Sequence, residues 1–518
     1  VPEATKRFVG MFAFAVFDRR DRVLYLVRDR IGVKPLYWTI QDNTLLFGSE
    51  LRALMAHPSF RRDVDPDAMA AVVAYSYVPS PATIFRNVYK LAPGSILSVT
   101  AGTGPKIERY WRIEQVAAKR GSAKLDAAEA ADALDALLRD SIRRRMIADV
   151  PVGAFLSGGI DSSAVVALMQ AESTAKVRSF TIGFDDAAYD ESALARQVAE
   201  HLRTDHTEIR LDASDALDLV PNIPDWFDEP FADSSQLPTY LVSQATRKHV
   251  TVALSGDGGD ELFAGYPKYA WLDRVWRTAG KLPAPVRGMI GGMLSRTPEA
   301  ALRPLAAALL DAGRAERIGL ALSACDPDRA ALVLSRVGID ANLIHGASHG
   351  HRLTPLAGLA GQLPDLVSRM QVNDIATYLP DDILTKVDRC SMAVSLEARE
   401  PLLDHRLVEF VWSLPRDVHH HGGPKGLLRA VLGRYIPPAF MDRPKRGFSV
   451  PLAAWLRGPL RDWASGLLSP AKLSSDGLLD APAVERLWQR HINGAEDNAT
   501  GLWNILMIRA WSERWLRA

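Results

Sequence analysis

Short apolar runs separated by polar turns occupy the first hundred residues. Apolar residues fill positions 11–17 and 23–27, and the polar residues 18–21 between them have the length of a hairpin turn. A third apolar run covers residues 45–47, and a Pro-Gly turn within residues 92–99 precedes another. The pattern predicts a β-rich N-terminal domain whose first two strands pair antiparallel.

The pattern changes at residues 119–124, a stretch that has no apolar period. Beyond it, apolar side chains recur at the spacing of a helix: Leu125, Leu134, Leu137, Leu138 and Ile142. The change of composition predicts a domain boundary, with one domain over residues 1–118 and a second over residues 119–518.

Strand-like and helix-like segments then alternate. Strands are predicted over residues 152–156, 177–184 and 250–254, and helices near 163–170 and over 192–202. Strands that alternate with helices favour a parallel sheet with helices on both faces, so the predicted fold class is α/β. Ligands of such sheets bind beyond the carboxyl ends of the strands. The later part of the chain has a helical period, which predicts a helical C-terminal half.

Composition and charge exclude several classes of protein. The 518 residues include 62 Lys and Arg against 61 Asp and Glu, a formal net charge of +1, which excludes a strongly basic nucleic-acid-binding protein. Cys325 and Cys390 are too few for a disulfide framework, which favours a reducing compartment, the cytoplasm. No apolar run reaches the roughly 18 residues of a membrane span, so no membrane partner is expected. The chain starts at Val1, and we expect it to begin inside a longer polypeptide.

A glycine-rich loop follows the first predicted strand of the sheet. It has the sequence SGGIDSS at residues 157–163, where a strand gives way to a helix. Two glycines let backbone amides turn toward an anion, and the serine hydroxyls and the helix N-terminus add donors. Without the Gly-Lys-Ser/Thr ending of a P-loop, it resembles the pyrophosphate loop of enzymes that split ATP into AMP and pyrophosphate. The alternative is a plain strand-to-helix turn capped by Asp161 or Ser162.

A second glycine-rich loop follows the third predicted strand. Its sequence SGDGGDE at residues 255–261 combines three glycines with three acids, which repel one another unless a cation or protonation relieves the charge. Mg²⁺ is the natural cation beside phosphate oxygens. The alternative is a solvated acidic turn. We expect the two loops to face each other and hold one triphosphate, with room alongside for an acid awaiting activation.

Further short segments occur in order along nearly the whole chain. They are MFAFA at 11–15, RDRIGVKPLY at 28–37, VPVG at 150–153, SFTIGF at 179–184, KVDR at 386–389, EAREP at 397–401 and RPKRGF at 443–448. Together with the two loops, this series resembles the glutamine-dependent asparagine synthetase family. The resemblance implies a partial glutaminase domain of the N-terminal-nucleophile type, followed by an ATP-pyrophosphatase domain.

The resemblance assigns roles to residues that match the family's motifs. Binding of ATP and its pyrophosphate is assigned to Leu156, Ser157, Gly158, Gly159, Asp161, Ser162, Ser163, Ile182, Ser255, Gly256 and Asp388. Asp161 and Asp260 match the acids that bind Mg²⁺. Lys445 matches a lysine that stabilises the charged transition state. Asp257 matches a carboxylate, Glu in some members, that helps ammonia attack; Asp is one methylene shorter and loses about 1.5 Å of reach.

One departure concerns glutamine. Family members that hydrolyse glutamine use an N-terminal cysteine thiolate, and both cysteines of this chain lie far downstream. Residues 1–118 therefore resemble the rear part of the glutaminase domain, without a nucleophile. We expect this polypeptide to use free ammonia and the intact protein to use glutamine.

The implied reaction is the ATP-dependent conversion of aspartate to asparagine through β-aspartyl-AMP, a step of amino-acid biosynthesis. A carboxylate needs this activation because hydroxide is a poor leaving group. The expected cofactors are ATP and Mg²⁺, and the expected partners are small molecules: aspartate, and ammonia or glutamine. A homodimer is also considered.

Two alternatives to this function stay open. The first applies the same chemistry to another carboxylate, such as a sugar acid, a peptide or a β-lactam precursor. The stretch Asp233-Ser234-Ser235 lies on the acceptor side of the pocket by resemblance, but its shape is not fixed by the sequence. The second is a non-catalytic scaffold, which the intact acids of the two loops disfavour.

Two charged clusters are interpreted as structural. Three neighbouring histidines at residues 419–421 cannot all face one metal ion on regular structure, and the Gly-Gly-Pro that follows favours a flexible loop. Arg143, Arg144 and Arg145 lie on a predicted helix of a nearly neutral protein, which favours a solvated face over a nucleic-acid site.

Overall fold

Two antiparallel sheets build the N-terminal part of the chain. The computed structural model describes residues 1–184, 192–211, 216–296, 312–336, 341–348, 358–441, 450–474 and 477–516. The strands of the N-terminal part are β1 (Ala13–Asp18), β2 (Val23–Arg28), β3 (Tyr37–Gln41), β4 (Thr44–Gly48), β5 (Val88–Lys90), β6 (Ser95–Thr100) and β7 (Lys106–Arg109). They form sheets in the orders β1-β2-β6-β7 and β4-β3-β5. Asp18 pairs with Val23 across the turn, which confirms the predicted hairpin.

A five-stranded parallel sheet forms the centre of the second part. Its strands are β8 (Val152–Phe155), β9 (Arg178–Phe184), β10 (Asp205–Leu211), β11 (Val252–Leu254) and β12 (Glu397–Arg399). They lie in the order β10-β9-β8-β11-β12, and all neighbouring pairs are parallel, which confirms the predicted α/β sheet. The order reverses between β8 and β11, and a ligand crevice opens at such a reversal.

Helices surround this sheet and make up most of the C-terminal half. The α-helices of the described ranges are α1 (Pro2–Thr5), α2 (Leu51–Met55), α3 (Pro66–Tyr75), α4 (Ile113–Ala117), α5 (Ala127–Arg145), α6 (Ile160–Glu172), α7 (Ser192–Leu202), α8 (Ile223–Trp226), α9 (Gln236–Arg247), α10 (Gly259–Leu262), α11 (Pro267–Ala279), α12 (Ala284–Arg296), α13 (Ala312–Ser323), α14 (Pro327–Leu334), α15 (Leu359–Gln362), α16 (Leu366–Ala376), α17 (Leu384–Met392), α18 (His405–Ser413), α19 (Arg416–His419), α20 (Gly426–Leu432), α21 (Leu452–Arg457), α22 (Arg461–Leu467), α23 (Pro470–Ser474), α24 (Ala481–Ile492) and α25 (Ala499–Trp515). A π-helical turn at Leu379–Ile383 precedes α17. Among the helices described, none combines the length and the apolar character needed to cross a bilayer.

Both faces of the parallel sheet are buried. Val252 and Leu254 of β11 belong to the apolar cluster that contains helices α5 and α6. Ala253, between them, packs in a separate cluster with Phe180 and Leu396. Alternate residues of one strand therefore contact opposite layers, which is why the strand is a continuous apolar run in the sequence.

The segment that joins the two parts is anchored by side chains. Helix α5 begins with a capping box formed by Asp126 and Glu129. Upstream, the Arg120 guanidinium lies over the Trp412 ring, 4.6 Å from its centroid. Arg120 also lies 3.0 Å from Nδ1 of His419. The connection therefore packs against helices α18 and α19.

Two expectations for charged clusters are corrected by the structure. His419 is not part of a flexible loop, because it ends α19, is buried and donates through Nε2 to the Leu262 carbonyl at 2.8 Å. Arg143 and Arg144 are exposed as predicted, whereas Arg145 is buried. Both His419 and Arg145 lie on the buried face of a helix. The number of charged residues in a short segment does not reveal which of them lies on that face.

Acidification should destabilise this fold through two adjacent histidines. Burial lowers the pKa of His419 well below its usual range and that of His420 to about 4. In the unfolded chain the two histidines bind protons below about pH 6.5, whereas in the folded chain they stay neutral to a lower pH. Their contribution to the free energy of unfolding is therefore fully present above about pH 6.5 and is lost as the pH drops toward 4. Urea unfolding from pH 7.5 to 4.5 should show a loss of up to about 3 kcal/mol for His420.

Substitution separates this contribution from general acid effects. His420→Gln should reduce the pH dependence of unfolding, whereas substitution of the exposed His57 should leave it unchanged. The same pH dependence in His420→Gln and in the wild type would contradict the assignment.

Candidate active site

The two glycine-rich loops lie against each other at the carboxyl edge of the parallel sheet. Leu254 of β11 pairs with Ala154 of β8, so the loops leave adjacent strands. A Cβ atom added to Gly256 would lie 2.7 Å from the amide nitrogen of Ser162 and 2.9 Å from the carbonyl carbon of Asp161. Only glycine allows so close an approach. The prediction that the two loops face each other is confirmed.

Hydroxyl groups hold the first loop in its turn. The Ser157 amide donates to Oγ of Ser162 at 3.2 Å, and the two serine Oγ atoms lie 3.0 Å apart. The Gly159 amide donates to Oγ of Ser157 at 3.3 Å, and Gly158 adopts a φ of +76°. Helix α6 begins at Ile160, and within this described segment no side chain caps it. The amides of its first turn are therefore available to an anion.

Other predicted nucleotide-binding residues flank this loop. Leu156 is buried, and its amide donates to the Phe180 carbonyl at 2.8 Å. Ile182 is buried on the neighbouring strand β9, and Ser163 is buried in the first turn of α6. Lys445 lies outside the described residues. The roles of these residues toward ATP stay predictions.

A buried lysine joins the acids of the two loops. Nζ of Lys425 contacts the Asp161 carboxylate and lies 2.7 Å from Oδ1 of Asp260. Burial acts to lower the pKa of Lys425, but the charges of Asp161 and Asp260 outweigh it, and the pKa is raised. The two carboxylates therefore converge on one cation.

Lys425 lies outside the motifs that identify the two loops in the sequence. This residue directly precedes helix α20 and adopts a φ of +57°. A cation is unfavourable at a helix N-terminus because the helix dipole places positive partial charge there. A lysine directly before a helix, after a Gly-Gly-Pro turn, therefore indicates that acidic side chains from elsewhere in the chain compensate its charge. This was the one sequence signal that could have pointed to Lys425.

The same two acids suit a divalent cation. Their oxygens meet at one point, and carboxylate oxygens are the ligands that Mg²⁺ prefers. The part of the chain that the structure describes contains no group of three or more His, Cys, Asp or Glu side chains arranged to hold a metal ion by themselves. Mg²⁺ is usually held by one or two carboxylates together with substrate phosphates, so Asp161 and Asp260 fit this ion.

Lys425→Met should lower the melting temperature of the metal-free protein and enlarge its response to Mg²⁺. Removing the lysine leaves two largely buried carboxylates facing each other, at a cost of up to about 3 kcal/mol. Added Mg²⁺ should raise Tm more in the variant than in the wild type, because it neutralises the same acids. Thermal unfolding with and without Mg²⁺ measures both effects.

A surface lysine provides the control for this prediction. Lys472→Met breaks an ion pair with Glu513 in which both side chains are partly exposed, so it should change neither Tm nor the Mg²⁺ response. Equal Mg²⁺ responses of Lys425→Met, Lys472→Met and the wild type would show that Asp161 and Asp260 do not share a cation position.

Asp257 is tied to its own loop. The Ser255 hydroxyl donates to the Asp257 carboxylate, and the Asp257 amide donates back to Oγ of Ser255 at 3.1 Å. The Ser255 amide donates to the Arg399 carbonyl on β12 at 2.9 Å. The second loop is thus fixed between the first loop on one side and the end of β12 on the other.

Asp388 lies where the N-terminal part meets the second part. Nζ of Lys34 donates to Oδ1 of Asp388 at 2.8 Å. Lys34 is positioned by buried Asp29, whose carboxylate accepts the amides of Gly32, Val33 and Lys34. Burial raises the pKa of Asp29. The segment RDRIGVKPLY therefore builds a contact between the two parts, and Asp388 belongs to that contact.

The residues expected on the acceptor side form a buried charged cluster. Nζ of Lys386 donates to Oδ2 of Asp233 at 2.7 Å and to Oγ of Ser235 at 2.8 Å. Burial, reinforced by the charge of Asp233, raises the pKa of nearby Asp382 well above its usual range. The charge of Asp257 also raises the pKa of Lys386, so this cluster adjoins the second loop.

The sheet and its two loops define the class of this protein. A parallel sheet whose order reverses between two touching glycine-rich loops defines an α/β domain with its ligand crevice at the carboxyl ends of the strands. A family model described as asparagine synthase matches residues 133–514, and one described as a glutamine amidotransferase domain matches residues 2–111. Because the first match covers more than half of the chain, the chain belongs to the asparagine synthase family and is a ligase. The resemblance drawn from the motifs is confirmed.

Relatives of known name span nearly the whole chain. Asparagine synthetase [glutamine-hydrolyzing] 1 of Bacillus subtilis is 30% identical over 98% of this chain and 78% of its own length. A putative asparagine synthetase [glutamine-hydrolyzing] of Mycobacterium tuberculosis is 34% identical over 98% of this chain and 77% of its own length. A protein named amidase chry2, from Gibberella zeae, is 25% identical over 95% of this chain and 76% of its own length.

Proposed function

We propose that this chain activates a carboxylate, aspartate first among the candidates, as an acyl-AMP and converts it to an amide. The observation that carries the proposal is the contact between the two loops, with Asp161 and Asp260 converging on Lys425. The names of the bacterial relatives support aspartate as the acid and asparagine as the product.

The first loop would bind the pyrophosphate part of ATP. The uncapped N-terminus of α6 supplies backbone donors, and the hydroxyls of Ser157 and Ser162 lie beside it. Mg²⁺ held by Asp161 and Asp260 would supply charge neutralisation at the phosphate oxygens. An oxygen of the substrate carboxylate attacks the α-phosphorus, the bond to the bridging oxygen breaks, and pyrophosphate leaves. These residues act by positioning and electrostatic stabilisation.

Ammonia would then displace AMP from the activated acid. The nitrogen lone pair forms the C–N bond, the C–O bond to AMP breaks, and AMP leaves with that electron pair. We propose free ammonia as the donor for this polypeptide, because Cys390 is buried and both cysteines belong to the second part of the chain rather than to the N-terminal sheets.

The remaining predictions about organisation are also proposals. The two family matches, at residues 2–111 and 133–514, support a domain boundary between them at residues 119–124. The two cysteines are free thiols, which supports the cytoplasm as a reducing compartment. The homodimer stays a prediction.

A different acceptor acid is the second candidate. The relative named amidase chry2 matches 95% of this chain. Similar sequences therefore include proteins that are not named asparagine synthetase, which leaves room for another acceptor. The proposed acceptor side is the cluster of Asp233, Asp382 and Lys386, whose polar side chains would select the polar groups of the acid.

Release of AMP and pyrophosphate across candidate acids tests the proposal. The purified chain with ATP and Mg²⁺ should turn over and release both AMP and pyrophosphate when aspartate and ammonia are present. With glutamine in place of ammonia, it should form no asparagine and release no more AMP or pyrophosphate than with aspartate alone. Product release with another acid alone would favour the second candidate. Absence of release with all acids tested would contradict amide formation through an acyl-AMP.

A further inference from the structure

A small cavity lies between the N-terminal part and the carboxyl edge of the parallel sheet. Its volume is about 10 Å³, room for one molecule of the size of water or ammonia. Asp29 and Arg30 line it from the N-terminal side, and Arg145, Glu400, Leu403 and His405 line it from the other side. The two family matches meet at this cavity, since each supplies one wall.

Two of the residues that line this cavity each carry a buried polar atom with no hydrogen-bond partner among the described residues. These atoms are Oε2 of Glu400 and Nε of Arg145. Both residues are buried, with exposed fractions of 3% and 8%. An unpaired buried acceptor or donor is costly, and a small polar guest between the two would satisfy both. The cavity therefore fits one small molecule, water or ammonia, that can both donate and accept a hydrogen bond.

The cavity adjoins the second glycine-rich loop. Glu400 directly follows strand β12, whose last residue Arg399 accepts the Ser255 amide at 2.9 Å. A Cβ atom added to Gly258 of the loop would collide with the side chain of Leu403, which lines the cavity. Three neighbouring strands, β8, β11 and β12, thus each present polar groups at the same edge of the sheet.

The charge state of Glu400 suits proton exchange at neutral pH. Burial is the main cause that raises the pKa of Glu400 to about 7. The charges of Asp257 and Asp388 also raise this pKa, and those of Lys34 and Arg145 lower it. From the remaining cavity wall, Asp29, Arg30 and His405 also face the guest position.

We propose that Glu400 is a further catalytic residue, which contacts the nitrogen nucleophile in this cavity and accepts a proton from it. One ammonia molecule would donate an N–H to Oε2 of Glu400 and accept from Nε of Arg145. Asp257, the carboxylate matched to ammonia attack, is one methylene shorter than the Glu of some family members, and Glu400 adds a second carboxyl group from the next strand. This inference rests on the proposed amide-forming function.

The proton balance of this step is simple. An ammonium ion transfers one proton to the Glu400 carboxylate and becomes ammonia. The nitrogen lone pair then forms the C–N bond to the activated acid, and AMP leaves with the electrons of the broken C–O bond. After the attack the nitrogen carries three protons and loses one of them to solvent, which gives the amide. Glu400 then releases the proton that it took from the ammonium ion to solvent.

Glu400→Gln tests the proposal, because glutamine keeps the shape but cannot accept the proton. Two rates are measured from pH 6 to 9: amide formation as a function of ammonia concentration, and ATP–pyrophosphate exchange with the acid alone. We expect the KM for ammonia to rise tenfold or more and the pH dependence near 7 to disappear, while exchange stays within a factor of two.

The control and the contrary outcomes are distinct. Glu397→Gln, on strand β12 just before Glu400 and paired with Arg399, should leave both rates unchanged. An unchanged KM and pH profile in Glu400→Gln would mean that the cavity holds only water and would overturn this inference alone. Joint loss of exchange and amide formation in that variant would make Glu400 structural and also overturn it. Absence of exchange in the wild-type protein would overturn this inference together with the proposed function.

Discussion

Asp161→Asn should reduce the rate of acid-dependent pyrophosphate release by a factor of about 100 to 1000. Asp161 lies in the first turn of α6, contacts Lys425 and would hold Mg²⁺ beside the phosphates. Asparagine keeps the size of the side chain but removes its charge. The substitution would therefore weaken the binding of Mg²⁺ and slow the activation of the acid. Pyrophosphate release under saturating ATP and acid measures it directly.

A surface acid separates this effect from a general loss of charge. Asp132→Asn removes an aspartate on α5 whose side chain is 74% exposed and which forms a surface ion pair with Arg434. This variant should release pyrophosphate at the wild-type rate. Wild-type activity in Asp161→Asn, with thermal unfolding of both variants unchanged, would remove Asp161 from the active site.

Gly256→Ala should abolish activation of the acid. The added Cβ would meet backbone atoms of Asp161 and Ser162 at 2.9 Å and 2.7 Å, and backbone cannot move aside as a flexible side chain can. The two loops would have to separate, at a cost of about 1–3 kcal/mol in overpacking. Since both loops must contact one triphosphate, we expect pyrophosphate release to fall at least 100-fold, as when a preorganised donor is lost.

Another glycine offers a matched control for this substitution. Gly466 lies in helix α22, and a Cβ added there would meet nothing within 4 Å. Gly466→Ala should keep full activity and raise the free energy of unfolding by up to about 1 kcal/mol, the gain in helix propensity. Equal activity in Gly256→Ala and Gly466→Ala would contradict the contact between the loops.

The sequence predicted the three inner strands of the parallel sheet, but it missed the two strands at its edges, and in the N-terminal sheets it missed β3, β5 and β7. β7 is predominantly exposed, and β10 carries polar residues along the edge of the parallel sheet, so neither forms an apolar run. β12 has only three residues, two of them charged. Such strands exist because a neighbour pairs with their backbone, which a local pattern of side chains does not record.

The two glycine-rich loops could be predicted because their chemistry is local. Each has its glycines, its hydroxyls and its acids within eight residues of sequence. Lys425 and Glu400 could not be found this way, because Lys425 is separated from Asp161 by 264 positions and the partners of Glu400 lie in both parts of the chain. Only the order of the parallel strands brings these residues to one edge.

The oxygen that joins the acid to AMP provides the most direct test of the account. The chain is incubated with ATP, Mg²⁺, ammonia and aspartate whose side-chain carboxylate carries ¹⁸O, and the AMP released is analysed by mass spectrometry. Attack of the carboxylate on the α-phosphorus predicts that AMP gains one ¹⁸O atom for each asparagine formed. AMP without ¹⁸O, or ¹⁸O that appears in free phosphate instead, would contradict activation of the acid by adenylation.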